Sequence, residues 1–137
     1  YGGGFVATGE DEEAVAKMID IIRYRVAFYG STRTYFPVWE LHGLEDLGFK
    51  LHQMVADRKW DRIADEISDD VVQLFAAVGT FETLERAIRA RFSGADALNL
   101  TLPEGTSDGV MREIVQDLHR IATPYAGHNT VQWVNAA

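Results

Sequence analysis

Short apolar runs and longer helical stripes alternate along the chain. The first run, residues 4–8, predicts a strand. Behind it, apolar residues recur every three or four positions and predict a helix over residues 10–29, because this spacing gives one continuous apolar face. Thr8 is the expected N-cap of this helix, and Gly30-Ser31 is its expected end. The stripe consists of Val15, Met18, Ile19, Ile22, Val26 and Tyr29.

Two further strand and helix pairs follow in the second half of the chain. Residues 74–78 predict a second strand, closed by Gly79-Thr80, and Thr80 is the expected N-cap of the helix behind it. Residues 97–102 predict a third strand. A last amphipathic helix follows and is expected to end at Pro124. Its apolar stripe is Met111, Ile114, Val115, Leu118 and Ile121.

A long insertion separates the first helix from the second strand. It covers residues 31–70 and opens with an aromatic run at residues 35–39 that we expect to be irregular before the chain turns helical. Insertions of this length in α/β units commonly form lids or pocket walls. The tail, residues 125–137, has no clear periodicity.

The order of these elements predicts an α/β fold. Strands that alternate with helices form parallel sheets with crossover helices. We treat residues 1–137 as one partial domain, because three parallel strands leave their edges and one sheet face without partners. A second copy of the chain or a missing N-terminal half is expected to cover them.

Composition and charge limit the classes of partner that we expect for this chain. The chain has 137 residues, of which 47% are hydrophobic and 25% charged, and its net charge is −8. This composition is typical of one globular domain, and the acidic balance argues against nucleic acid and membrane surfaces as partners. The absence of cysteine excludes disulfides, zinc-thiolate sites and a cysteine nucleophile. We expect a cytoplasmic protein.

Five residues at three places in the chain are candidates for chemistry on the residue pattern alone. His42 lies beside Gly43 after the aromatic run, where it either lines a pocket or packs at a helix start. Gly79-Thr80 lies between a strand and a helix, where backbone amides either hold an anion or form a simple turn and cap. Without an HExxH motif or paired histidines, a protein-held catalytic metal is not expected.

Asn99 and Thr101 alternate with leucines in the third predicted strand. Because successive side chains of a strand point to opposite faces, the two polar residues share one face. That face either points toward a barrel interior or its mouth, or is the solvent-exposed face of an edge strand.

Three segments together resemble a known enzyme group. Residues 29–47, with the sequence YGSTRTYFPVWELHGLEDL, resemble luciferase-like oxidoreductases, in particular the branch that uses the deazaflavin coenzyme F-420 in place of FMN. Residues 75–82, with the sequence FAAVGTFE, are similar to a strand that in this superfamily commonly ends in Gly-Ser/Thr-Pro-Glu. Residues 97–103 are similar to the last barrel strand. Phe81 stands where the family usually has proline.

The resemblance implies the C-terminal part of a (β/α)8 TIM barrel. Residues 5–8, 74–78 and 97–102 would be its sixth, seventh and eighth strands, and the insertion would roof the substrate side of the cofactor pocket. It also implies site residues. The substrate side would consist of Tyr29, Arg33, Tyr35 and Trp39, and the proton donor would be His42 or a tyrosine. The cofactor contacts would include Gly79, Thr80, Asn99 and Thr101.

The resulting functional hypothesis is an oxidoreductase that uses a flavin or deazaflavin. The whole protein would transfer a hydride between coenzyme F-420 or FMN and a small organic substrate, or monooxygenate that substrate. Arg33 would hold an anionic group of the substrate. Most cofactor contacts of this group come from earlier strands, so we expect the isolated chain to be inactive. The alternative is a non-catalytic α/β domain that binds a partner or itself through its unpaired strands.

Overall fold

Two parallel strands and six α-helices form the part of the chain that our computed structural model describes, residue 2 and residues 4–122. The fold is α/β and mostly helical. Two short 3-10 turns, Arg33–Tyr35 and Ile63–Glu66, lie within the insertion. The strands are Phe5–Gly9 (β1) and Ala76–Thr80 (β2), and the helices are Glu12–Gly30 (α1), Phe36–Leu41 (α2), Glu45–Ala56 (α3), Asp69–Phe75 (α4), Leu84–Phe92 (α5) and Asp108–Leu118 (α6).

The two strands pair in parallel along their whole length. Phe5 lies opposite Ala76 and Gly9 lies opposite Thr80, with no offset between these positions. The amino-terminal ends of both strands therefore lie at one edge of the sheet and their carboxyl ends at the other. Helix α1 and the helical insertion make the crossover between the strands, as parallel pairing requires.

Each face of the sheet carries its own hydrophobic core. Ala7 and Ala76 point to one face, where α1 and the insertion supply the first core. Val6 and Ala77 point to the opposite face, where α5 and α6 supply the second core. The first core contains Ile22, Val26, Ala27, Trp39, Leu51, Ile63, Ile67, Val71 and Val72; the second contains Leu84, Ile88 and Ile114.

This two-sided cover bears on the expected barrel. The helices of a (β/α)8 barrel form an outer ring around the strands. Here helices lie on both faces of the two-stranded sheet. The described residues thus have an α/β fold with a parallel sheet, and they do not form a closed barrel.

The first strand and helix lie close to their predicted positions. Helix α1 begins at Glu12, two residues later than expected, and ends at Gly30 with Ser31 as its C-cap. Thr8 as N-cap was wrong, because Thr8 belongs to β1; the carboxylate of Asp11 accepts the Ala14 amide at 2.8 Å instead. The predicted end at Gly30-Ser31 is confirmed.

The second strand begins later than predicted. Residues 74 and 75 are the last turn of α4, and β2 continues through Gly79 and Thr80, which were expected to close it. Thr80 as N-cap was also wrong, since Thr83 occupies that position in α5. A short apolar run fits a helix end as well as a strand start, which is the physical reason for the shift.

The third predicted strand does not form within the described residues. Leu98 makes one isolated parallel bridge with Gly2, and the Gly2 amide donates to the Ala97 carbonyl at 2.7 Å. Leu98, Leu100 and Leu102 nevertheless pack against the second core, so their shared face is as the alternation predicts.

The remaining expectations have mixed outcomes. The insertion is helical, but the aromatic run is not irregular: it lies in the Arg33–Tyr35 turn and in α2. Helix α6 forms after the predicted loop and ends at Leu118 with His119 as C-cap. Pro124 and the tail, residues 125–137, lie outside the described residues. Within the described part, no helix is both long and apolar enough to cross a membrane.

Candidate functional site

An aromatic cavity of about 420 Å³ opens at the amino-terminal ends of the two strands. Phe5 begins β1, and Phe75 directly precedes β2. The insertion and the end of α1 supply the opposite wall. The described residues that line this aromatic cavity are Gly4, Phe5, Val26, Tyr29, Gly30, Tyr35, Val38, Trp39 and Phe75.

Trp39 is the fixed part of this wall. It is only 2% exposed, and its indole Nε1 donates to the Gly30 carbonyl at 2.8 Å. Two glycines leave room for the ring: a Cβ built on Gly30 would lie 2.1 Å from Trp39 Cζ2, and one built on Gly48 would lie 2.5 Å from Trp39 Cδ1. The indole thus packs between α1 and α3, and no residue larger than glycine fits against it at positions 30 and 48.

Three further rings form a connected group at the cavity. Phe5 stacks on Tyr29 with ring centroids 6.3 Å apart, and Tyr29 meets Tyr35 edge to face at 5.8 Å. Both tyrosines remain more than two-fifths exposed. These separations are the ones that aromatic pairs favour, so the rings support one another while one side of each stays accessible.

Arg33 and His42 lie apart from this lining. Both side chains are exposed, and neither is among the residues that line the aromatic cavity. His42 is the C-cap of α2 and is followed by Gly43, whose φ is 66°. Its imidazole packs edge to face on Phe75, with centroids 5.5 Å apart. Its proton-donor role stays a prediction.

Gly79 and Thr80 lie at the opposite end of the sheet. They are the last residues of β2 and pair with Thr8 and Gly9. A Cβ on Gly79 would lie 2.6 Å from the Thr83 hydroxyl, so a larger residue there would displace the Thr83 side chain. The Thr80 and Thr83 hydroxyls are 3.3 Å apart. No side chain caps α5 through Thr83, so the amides of its first turn can take an anion.

Asn99 and Thr101 line a different cavity. This second cavity measures about 370 Å³ and lies between α1 and residues 99–104. Arg25 and Glu104 also line it. Both polar residues are exposed and line this cavity together with residues of α1. The structure therefore does not bring Asn99 and Thr101 together with Gly79 and Thr80 in one cavity.

The two ends of the sheet are farther apart than two reacting atoms can be. β1 has five residues, so its ends lie about 13 Å apart at about 3.3 Å per residue. Reacting atoms must approach to about 3–3.5 Å. A substrate held only in the aromatic cavity is therefore out of direct contact with Thr80 at the far end of the sheet.

Sequence reasoning missed several residues of potential function. Phe5, Val26, Val38 and Phe75 line the aromatic cavity, but they come from separate segments that only the fold joins. The aromatic residue at the start of each strand was the available signal. Thr8 was missed as well: it is 0% exposed, and its hydroxyl has no hydrogen-bond partner among the described residues.

Metal chemistry finds no support in the part of the chain that the structure describes. No group of three or more histidine, aspartate or glutamate side chains there is arranged to hold a metal ion. The candidate chemistry at the carboxyl end rests on hydroxyl and amide groups, and that at the amino-terminal end rests on aromatic surface.

Comparison with known proteins gives a partial match. Over 115 residues, or 84% of this chain, the sequence is 34% identical to an uncharacterized protein of Mycobacterium bovis and to uncharacterized proteins of two strains of Mycobacterium tuberculosis. The match covers 34% of each of these proteins, so the chain spans about a third of the length of the curated relatives it matches. No family model and no solved structure matches the chain.

Proposed function

We propose that this chain is the C-terminal part of a luciferase-like oxidoreductase that uses coenzyme F-420 or FMN. The whole protein transfers a hydride between the cofactor and a small organic substrate, or monooxygenates that substrate, within a (β/α)8 barrel. The length of the relatives supports this proposal. The chain matches a third of each, and a complete barrel takes about 250 residues.

The observation that carries the proposal is the position of Gly79 and Thr80. Barrel enzymes build their active sites from the loops at the carboxyl ends of the strands. Both residues lie at that end of β2, beside the end of β1, and directly before α5. We therefore assign the redox centre to this end of the sheet.

The residues present there fit the phosphate end of either cofactor. Glycine at position 79 keeps the backbone close to Thr83, and the uncapped amides of α5 are positive. The hydroxyls of Thr80 and Thr83 can donate to phosphate oxygens, and the buried Thr8 hydroxyl has no hydrogen-bond partner in the described part of the chain. When bound, the cofactor supplies the hydride chemistry. This chain holds its phosphate and excludes water.

Thr80→Ala in the full-length protein that contains this chain tests the cofactor assignment. Fluorescence titration with coenzyme F-420 and with FMN should show at least tenfold weaker binding of the preferred cofactor, because a phosphate contact is lost. Thr34→Ala is the matched control, since Thr34 is exposed in the insertion. Equal affinity of both variants, or no binding of either cofactor by the unsubstituted protein, contradicts the proposal.

His42→Ala shows which end of the sheet holds the reaction. If His42 donates a proton to the substrate, kcat/KM in the full-length protein falls about 100-fold while cofactor affinity is unchanged. That result moves the redox centre to the amino-terminal end. Unchanged turnover means that His42 is a packing partner of Phe75, as its edge-to-face contact indicates.

A second candidate function is self-association without catalysis. Within the described residues, helices pack on both faces of the sheet, and α1 exposes apolar surface at Ile21, Tyr24 and Phe28. Exposed apolar patches and unpaired strand edges favour contact with another chain. Sedimentation of the isolated chain at micromolar concentration should then show a dimer, and a monomer at every concentration contradicts this candidate.

A further inference from the structure

The aromatic cavity has the size of a small-molecule site. Its volume of about 420 Å³ lies within the range of about 300–1,000 Å³ that ligand pockets occupy. An apolar protein cavity of about 150 Å³ already holds benzene. The aromatic cavity therefore has room for a fused two-ring molecule.

The lining selects for ligand chemistry. None of the nine described residues that line the cavity carries a charge, and five of them are aromatic. An anion placed there would lose its hydration without gaining a charged partner, which is strongly unfavourable. Flat aromatic molecules instead gain stacking contacts with rings such as Tyr29 and Tyr35, whose outer sides are accessible.

The protein's own contacts also hold the wall of the aromatic cavity in place. The Trp39 indole is held by the Gly30 carbonyl and by close packing against Gly48, and Phe5 stacks on Tyr29. A ligand therefore does not have to order these side chains on binding, which lowers the entropic cost of association.

We infer that the aromatic cavity is a binding site for a neutral, planar aromatic molecule, separate from the cofactor end of the sheet. The cavity lies at the amino-terminal ends of the strands, and the far end of the sheet, where Thr80 pairs with Gly9, is about 13 Å away. Arg33, which lies outside the lining, takes no part in binding this molecule.

Titration of the 137-residue chain with two probes tests this inference. 1-Naphthol is neutral at pH 7, and 1-naphthoate has the same rings with a negative charge. The Trp39 indole N–H resonance, followed by NMR, reports binding in the cavity itself. We expect saturable binding of 1-naphthol in the micromolar range and at least tenfold weaker binding of 1-naphthoate. No saturable shift with 1-naphthol, or equal affinity for the two probes, overturns the inference.

A matched pair of variants localises the site. Tyr29→Ala removes a lining ring and should weaken 1-naphthol binding at least tenfold. Tyr24→Ala removes a ring of similar exposure from the same helix, but Tyr24 does not line the cavity, so affinity should stay within twofold. Far-UV circular dichroism checks that both variants fold. An equal loss in both variants overturns the inference, whatever the cofactor titrations show.

Discussion

Substituting Gly48 by alanine places one methyl group against the most constrained ring of the first core. The new Cβ would lie 2.5 Å from Trp39 Cδ1 and 3.1 Å from its Cγ and Nε1. Trp39 cannot withdraw, because a backbone position of α1, Gly30, lies directly on its other side and its N–H is bonded to the Gly30 carbonyl. The contact must therefore be relieved by moving α3 or by breaking that hydrogen bond.

The expected free-energy change is the balance of two effects. Overpacking a dense core costs about 1–3 kcal/mol. We take the upper end, because the new methyl group overlaps three atoms of a ring that has no space to move into. Alanine is favoured over glycine inside a helix by up to about 1 kcal/mol. The free energy of unfolding should therefore fall by about 2 kcal/mol in Gly48→Ala.

Urea denaturation, followed by circular dichroism and tryptophan fluorescence, measures this loss. Gly109→Ala is the control, because the nearest atom to a Cβ there is the Ser107 hydroxyl at 3.9 Å. The same substitution in α6 should be neutral or stabilising by up to about 1 kcal/mol. If Gly48→Ala is as stable as the unsubstituted chain, Trp39 is not held between two glycines and the packing argument is wrong.

Two further predictions concern polar groups. Thr8→Val keeps the shape of a buried side chain and removes a hydroxyl that has no partner among the described residues. The free energy of unfolding, measured by thermal denaturation, should therefore rise by about 1 kcal/mol. Thr80→Val is the control and should not stabilise the protein, because the Thr80 hydroxyl lies 3.3 Å from that of Thr83. Hydrogen bonds from Gln53 and Lys59 lower the pKa of Asp57 below 3.8. The ionised Asp57 carboxylate therefore stabilises the fold fully above the pKa that it has in the unfolded chain, and this stabilisation is lost as the pH falls through the lower folded-state pKa. A carboxyl titration by NMR should show the lowered midpoint, and Gln53→Ala should raise it.

The elements that depend on local pattern were predictable from the sequence. The stripe with Ile22 and Val26 located α1, because helical spacing is set by residues on the same element. β1 was located to within one residue. Residues 97–102 show why alternation alone is insufficient: a strand needs a hydrogen-bonded neighbour, and the described chain offers Leu98 a single bridge to Gly2.

The candidate site was predictable only in part. The aromatic run indicated Tyr35 and Trp39 as wall residues, since both lie in one continuous motif. Phe75 joins them through the register of β2, which no local pattern contains. The separation of Gly79 from this wall was equally hidden, because it depends on which end of the sheet the insertion covers.

The two cores on opposite faces of the sheet have a consequence for how the protein opens. Among the described residues they share no side chain, and only β1 and β2 contribute to both, with Val6 and Ala77 on one side and Ala7 and Ala76 on the other. Loss of α5 and α6 would expose one face and leave the other packed. Such regions can unfold as separate cooperative units, so the amides hydrogen-bonded between the two strands stay protected while either core remains packed. The five-residue ladder is therefore the slowest-exchanging layer of a molecule that can loosen from either side.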